Sequence, residues 1–398
     1  MKTMIKKQPI FDENFKRIIL IIILTKVFML LVAYSASMSF HKGPAYNYNM
    51  SESGFLNNWA QYDAAAYIDI AKNGYNTEYM NGYGNYNWFP MYPMMISGLA
   101  KIGISYALAA FIISNIAFLI AIYFLYLLLK TEFDGKKAYR TIFFILLFPT
   151  TFFFTAMYTE SLFLMLIVLC YYFASKKNWL MAGVIGFFAS LTRLQGVVLF
   201  VPILYMYLTD KEVIVEKFRI NKKKFKNIDW KLGYVLLIPL GLICFIIYDY
   251  FMFGKALKFM EIPLFNRHLD WPFTGVIFEI RQLFLGVPLY LQGYIIFTLI
   301  IVGLFGLLTV LSFKYLDPKY SLFVAINYII PLCSNRLEAE SRYYLILFPA
   351  FLALAIFEEE QTKKKKQWVR NSVNILLGLG VLLMVFFIAW YTRGGQFW

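Results

Sequence analysis

The chain has 398 residues, 60% of them hydrophobic, 20% aromatic and only 15% charged, with a formal net charge of +15. Apolar runs of about 15–25 residues fill most of it, which indicates an all-α polytopic membrane protein, since backbone groups in lipid are satisfied inside helices. The positive charge does not mark a nucleic-acid binder, because Lys and Arg fall in short loops between the runs, the positive-inside pattern.

The first run, 18–38, is long, basic-flanked and lacks an A-x-A site, so it is expected to stay as an anchor. In chain order the expected spans are 18–38, 107–129, 141–157, 160–175, 178–191, 195–208, 233–252, 286–312, 320–333, 343–357 and 372–392. They form one integral membrane domain over 1–398 with about eleven transmembrane helices. With the N-terminus cytoplasmic and the C-terminus extracytoplasmic, 26 of the 38 Lys and Arg fall inside, among them Lys2, Lys6 and Lys7. This sets segment 39–106 outside as a long first extracytoplasmic loop and the basic segment 209–232, with Lys222, Lys223, Lys224 and Lys226, inside against anionic lipid. The sequon Asn49-Met50-Ser51 then faces outside. The Lys-, Asn-, Ile- and Tyr-rich composition suits a prokaryotic cell membrane; in a eukaryote the endoplasmic reticulum would be the place.

In the first loop Trp59, Asp63 and Tyr67 are spaced i, i+4, i+8, which predicts one helical stripe, and Gly74 is placed to end the helix. A carboxylate between two large aromatics is a candidate base. Segments 178–191 and 195–208 are too short for about 30 Å of hydrocarbon and are expected to form hairpins whose tips stop short of the surface. Those tips carry Tyr158-Thr159-Glu160-Ser161 and Thr192-Arg193-Leu194-Gln195. Glu160 and Arg193 are intramembrane charges that pair with each other, contact a substrate, or both. Lys255, Lys258, Arg267 and His268 on one outer segment, and Asn335, Arg336, Glu338, Glu340 and Arg342 before Tyr343 on another, suit an anionic ligand such as a lipid phosphate, or lipid headgroups. Cys170, Cys244 and Cys333 lie in or beside apolar runs and are read as packing residues. There is no Walker A loop, Rossmann fingerprint, H-E-x-x-H, paired-Cys metal motif or D-x-D, and no soluble domain large enough for a nucleotide sugar.

The series Trp59…Tyr62-Asp63-x-x-x-Tyr67-x-x-Ile70-Ala71-x-x-Gly74-Tyr75, then Phe89-Pro90-x-Tyr92-Pro93, Phe148-Pro149…Phe153…Tyr158-Thr159-Glu160-Ser161-Leu162-Phe163, Leu191-Thr192-Arg193-x-x-Gly196, and Arg342-Tyr343 with Pro349 resembles the PIG-V-like mannosyltransferases of the GT-C superfamily. The pieces stand in family order over about residues 59 to 350; Tyr62 replaces the family's usual Trp, and 255–335 carries no alignable motif. The resemblance implies a multi-span fold with its catalytic acid in the first outer loop and a polyprenyl-phosphate-linked sugar reached from the outer leaflet. On it Asp63 is expected to be the general base of an inverting transfer of a hexose, mannose first, to an acceptor hydroxyl on a glycan, glycolipid or protein.

Arg342 and Arg193 would stabilise the leaving phosphate, and Glu160 would orient sugar hydroxyls or Arg193. Trp59, Tyr67, Tyr158, His268, Arg336 and Tyr343 complete the expected substrate contacts. Cations alone can stabilise such a leaving group, so no cofactor is required, and a divalent metal remains compatible. The competing readings are a transporter or flippase of a lipid-linked sugar or polar lipid, for which no repeat is found, and a non-catalytic scaffold.

The charge asymmetry generates a topological prediction. Single cysteines at positions in 39–106 and 334–342 should react with an impermeant thiol reagent in intact cells, and one at 222 should not. Labelling at 222 would reverse the topology.

Overall fold

The computed structural model describes residues 12–43, 50–79, 84–261 and 268–395. Lys2, Lys6, Lys7, Asn49 and Arg267 lie outside the described residues. The described chain is mostly helical. Helix α1 (Glu13–Ser39) is followed by three short helices, α2 (Gly54–Trp59), α3 (Asp63–Asn73) and α4 (Met91–Ala100), and then by α5 (Tyr106–Glu132) and α6 (Gly135–Leu146). A 3-10 turn at Thr151–Phe154 leads to α7 (Glu160–Ser175) and α8 (Trp179–Ser190); a second 3-10 turn, Leu194–Leu199, runs into α9 (Phe200–Asp210). A small antiparallel hairpin, Ile214–Glu216 with Arg219–Ile220, precedes α10 (Leu232–Val235) and α11 (Leu237–Phe253). The remainder is α12 (Thr274–Phe284), α13 (Leu289–Tyr315), α14 (Pro318–Leu332), α15 (Glu340–Tyr343), α16 (Phe348–Lys363) and α17 (Gln367–Thr392).

Local chemistry explains the helix starts at one end of the bundle. Asp12, Asp134, Asn178 and Asp317 each accept a backbone N–H from the first turn that follows, and Pro318 opens α14. Ion pairs bind the same end: Lys130 to Asp12 at 2.8 Å, Lys319 to Glu132 at 2.7 Å, and Arg140 to Glu358 at 2.7 Å. The opposite end holds the C-termini of α1, α8, α14 and α17 and all of α2, α3 and α15.

Helices α1, α5, α13 and α17 are long and apolar enough to cross a membrane, and the pair Glu340–Ile346 and Phe348–Lys363, bent by 75°, makes a fifth if counted as one span. On α1, Ile18, Ile22, Thr25, Met29, Ala33 and Ala36 face inward at helical spacing. Leu20, Ile23, Leu24, Val27 and Leu31 on its other face are exposed and equally apolar, as expected of a surface solvated by lipid.

The expected eleven segments are helical, wholly or in part, but not as eleven full spans. Helices α7, α8 and α11 and the unit 194–210 have only 10–17 residues, under about 26 Å of rise. Segment 141–157 is corrected: α6 stops at Leu146, and 147–159 continues as turns, because Pro149 cannot extend a helix and biases Phe148 away from helical backbone. Segment 343–357 breaks at Leu347, where Pro349 starts α16 afresh. Among its described residues the loop 39–106 holds α2, α3 and α4, the expected helix ending at Gly74 being α3.

Glycines let α8 touch α10 and α11. A Cβ on Gly183 would lie 1.9 Å from the Tyr234 carbonyl oxygen, and one on Gly241 would lie 2.3 Å from that of Phe187. Such backbone approach is open only to small residues. Gly241→Val should therefore lower the thermal midpoint of the purified protein, in line with about 1–3 kcal/mol for overpacking. Gly98→Ala, where an added Cβ meets nothing within 4 Å, should leave it unchanged.

Candidate active site

Asp63 is the first residue of α3, and the backbone before it is unusual. Tyr62 has φ 54° and ψ −116°, a conformation that costs a non-glycine residue about 1–3 kcal/mol. The Tyr62 hydroxyl donates to the Gly395 carbonyl, and its ring leans on Tyr391 at 5.8 Å, so the last helix holds the turn. Asp63 thus sits at the N-terminus of α3, where the helix dipole favours negative charge. Gly74, with φ 81°, closes α3 by donating its N–H to the Ile70 carbonyl, as the sequence predicts.

The turn at Tyr62 corrects the predicted stripe. Trp59 ends α2, not α3, and is fully buried. It contributes its backbone: the Trp59 carbonyl accepts from Met157 N–H at 3.1 Å and from the Tyr391 hydroxyl at 3.2 Å. Its indole Nε1 is buried with no hydrogen-bond partner among the described residues. Asp63 and Tyr67 keep their i, i+4 relation on α3.

Facing Asp63 is a chain of charges. Arg342, on α15, donates through an Nη to Asp63 Oδ2 at 2.6 Å, and its Nε lies 3.0 Å from Glu160 Oε1. The same Glu160 oxygen accepts from Arg193 at 2.6 Å. Glu160 Oε2 is buried without a hydrogen-bond partner among the described residues. Asp63, read from the sequence as a carboxylate between two aromatics, is ion-paired with Arg342. Asp63 is 26% exposed and Glu160 1%, so of the two acids only Asp63 offers an edge to a molecule entering from outside.

Aromatic faces enclose the cations. The Arg342 guanidinium lies 5.1 Å from the Tyr158 ring centroid and 5.5 Å from that of Tyr343; Arg193 lies 5.0 Å from Tyr343 on its other flank. These distances fit cation–π attraction. Tyr158 donates to the Gln61 carbonyl at 2.9 Å, and Tyr67 lies 3.4 Å from Thr159 Oγ1, which also accepts from Arg193 at 3.3 Å. Burial, then the nearby Asp63 charge, holds the Tyr67 phenol well above its usual range, which keeps it a proton donor and rules it out as the base.

The other motifs support this cluster from below. Tyr92 packs edge-on against Tyr67 at 5.2 Å and shares a 2.8 Å hydrogen bond with Ser114, whose hydroxyl donates to the Tyr158 carbonyl at 3.1 Å. Met91 N–H donates to the Leu191 carbonyl at 3.0 Å, joining the Phe89-Pro90 turn to the Arg193 corner. Thr150 donates to the Ser341 carbonyl at 3.0 Å, joining the Pro149 turn to the residue before Arg342. Beside Arg342, Thr150, Phe153, Tyr294, Phe297 and Ser341 line a small cleft.

Asp63, Tyr67, Tyr158, Glu160, Arg193, Arg342 and Tyr343 therefore come together. His268 and Arg336 do not join them in any described contact. His268 pairs by backbone with Asn335, its N–H 3.0 Å from Asn335 Oδ1, and the Arg336 guanidinium sits 5.0 Å from the Phe278 ring. They belong to a brace in which α12 supports the 334–338 segment: Gly275 N–H donates to the Ser334 carbonyl at 3.0 Å, and burial pushes the Glu279 carboxyl up to about 7. Lys255 and Lys258 are both taken up by Glu261. Gln61, Thr159 and Tyr391 escaped the sequence reading. The first two lie inside quoted motifs, whereas nothing local marks Tyr391 among the aromatics of α17. Among the described residues no three His, Cys, Asp or Glu side chains gather as a metal site.

Residues 89–247, less than half of the chain, match the family model described as dolichyl-phosphate-mannose-protein mannosyltransferase. That stretch holds Tyr158, Glu160 and Arg193 but neither Asp63 nor Arg342. No curated protein matches the chain. Among solved structures, ArnT from Cupriavidus metallidurans bound to undecaprenyl phosphate is 11% identical, with 94% of this chain and 76% of that one covered and a TM-score of 0.49. The apo oligosaccharyltransferase of Archaeoglobus fulgidus is 12% identical, with 93% of this chain and 56% of that one covered and a TM-score of 0.42.

The geometry separates two substitutions of Arg342. Arg342→Ala should weaken binding of a polyprenyl phosphate at least about tenfold, and Arg342→Lys less, because an ammonium keeps the charge but not the two-oxygen grip of a guanidinium. Fluorescence titration of the purified variants checks this. Wild-type affinity in both would remove Arg342 from the binding site.

Proposed function

We propose that this chain is a GT-C-type membrane glycosyltransferase that moves a hexose, mannose in the first instance, from a polyprenyl-phosphate-linked donor to an acceptor hydroxyl on the extracytoplasmic face, with inversion. The observation that carries it is the single cluster in which a reachable carboxylate, Asp63, stands 2.6 Å from a guanidinium, Arg342, that shares Glu160 with a second guanidinium, Arg193. An acid beside two cations, walled by Tyr158 and Tyr343, fits a reaction in which an alcohol loses a proton while a phosphate departs. The order of the sequence motifs and the family model over 89–247 support the same class.

In this reading Asp63 takes the proton of the acceptor hydroxyl as its oxygen attacks the anomeric carbon from the face opposite the phosphate. The bond from that carbon to the phosphate oxygen breaks, and the lipid phosphate leaves with the electron pair towards Arg342 and Arg193. Entry of the phosphate competes with Asp63 for Arg342 and turns Oδ2 towards the acceptor. Glu160, buried and shared, holds both guanidiniums at one separation. Tyr67, its phenol held above the usual range by burial, stands protonated beside Thr159.

Incubation of the purified protein with a panel of polyprenyl-phosphate sugars and acceptors, read by mass spectrometry, tests the class. Movement of labelled lipid across the bilayer without a product would support a transporter instead. Within the enzyme reading, Asp63→Asn should lower transfer at least about a hundredfold, the lower end for loss of a general base, with folding and donor binding kept. Asp69→Asn should do much less. Asp69 is on α3 but accepts from Asn85 at 2.8 Å and Asn73 at 2.7 Å, so it ties the loop after the helix. Equal small losses in the two variants would move the base elsewhere.

A further inference from the structure

Lys26 stands in the middle of α1, a helix that is otherwise uncharged from Ile18 to Ala36 and is long enough to cross a membrane. A cation at that depth is unfavourable unless something holds it, and such residues default to a functional role. No carboxylate answers this one among the described residues. The three N–H bonds of its ammonium are instead spent on three neutral oxygens: Asn115 Oδ1 at 2.9 Å, the Phe154 carbonyl at 3.1 Å and Thr155 Oγ1 at 2.7 Å. The Phe118 ring lies 4.8 Å below it. Asn115 is itself oriented, its Nδ2 donating to the Phe111 carbonyl at 2.9 Å and the Thr155 carbonyl at 3.4 Å.

The place that Lys26 grips is what matters. Phe154 and Thr155 end the 3-10 turn, and the next five residues lead through Tyr158 and Thr159 to Glu160. This stretch is not a regular helix: the Thr155, Ala156 and Tyr158 N–H groups make local turn bonds, but the Phe154 and Thr155 carbonyls and the Met157 N–H also reach partners on other elements. Lys26 and Asn115 grip it on one side; the Trp59 carbonyl grips Met157 N–H on the other. The carboxylate that sets Arg193 and Arg342 follows directly after these two anchors, as the first residue of α7.

We infer that Lys26 is a positioning residue for the candidate active site: it clamps the Phe154–Thr155 corner to α1 and α5 and so places Tyr158 and Glu160 against the two arginines. This rests on the glycosyltransferase reading for its catalytic consequence, but not for the clamp itself. Lys26→Met keeps an unbranched side chain one atom shorter and is well tolerated in lipid, yet removes all three donors. Lys26→Arg retains donors, and Thr155→Val removes a single acceptor should Lys26→Met fail to fold.

Hydrogen exchange and kinetics of the full chain in detergent or nanodiscs decide the matter. In Lys26→Met, amides of 150–160 should exchange at least about tenfold faster while those of α5 are unchanged, with Lys26→Arg close to wild type and Thr155→Val between them. Turnover should fall at least about tenfold in Lys26→Met, a misplacement effect. The double variant Lys26→Met/Glu160→Gln should be no slower than Glu160→Gln alone, because both act through one carboxylate. Wild-type exchange over 150–160, unchanged turnover, or losses that multiply in the double variant would each overturn the inference. If the wild-type protein turns over no donor at all, the functional reading fails by itself, and the exchange measurement still decides the clamp.

Discussion

One carboxylate oxygen, Oε1 of Glu160, governs the arrangement of everything around it. It receives a guanidinium from the Leu191–Arg193 corner and another from α15, and the second of these reaches across to Asp63. Four stretches far apart in the chain are thereby held at one point. A buried acid with two cationic partners is not a strong argument for stability, since desolvation offsets most of the attraction. Taking the acid away is a different matter: it strands buried cations, a change of about 3–5 kcal/mol for comparable pairs. The arrangement is best understood as a device for geometry. It sets the spacing of two cations and keeps a reachable acid next to one of them.

The fold divides its labour between its two ends. One end is closed by capped helix starts and ion pairs such as Arg140–Glu358, contacts that fix helix register and ask nothing of a substrate. The other end gives up regular helix where the site is. Tyr62 adopts a strained conformation, Pro149 ends α6 early, and Leu347 breaks the helix after Arg342. Short helices that stop below full membrane thickness leave their termini free to converge there.

Much of this was legible in the residues. The helix from Asp63 to Gly74, the meeting of the Glu160 and Arg193 tips, and Arg342 as an outlying cation beside Tyr343 all follow from spacing, turn chemistry and the cost of a lone charge in lipid. The failures have definite causes. Trp59 seemed part of the Asp63 stripe because periodicity does not register a single residue at positive φ. Segment 141–157 read as a span because hydropathy weighed Phe152 to Phe154 more heavily than Pro149. His268 and Arg336 read as ligand contacts from charge and side alone, whereas they serve backbone pairing and ring contact within the α12 brace. Tyr391 carried no local signal, since its importance comes from a partner 330 residues earlier.

That last contact reaches into how the protein is made. The Tyr391 hydroxyl accepts from Gln61 N–H at 3.3 Å and donates to the Trp59 carbonyl, so the turn that aims Asp63 is completed only by the final helix. During synthesis the early helices can enter the membrane one after another, but the strained Tyr62 turn has nothing to lean on until α17 arrives. The site therefore matures only once α17 is made, and a chain that lacks α17, however well inserted, carries its acid unaimed. Contacts of such sequence separation are slow to form. That delay withholds an aimed Asp63 from every nascent chain until α17 is in place.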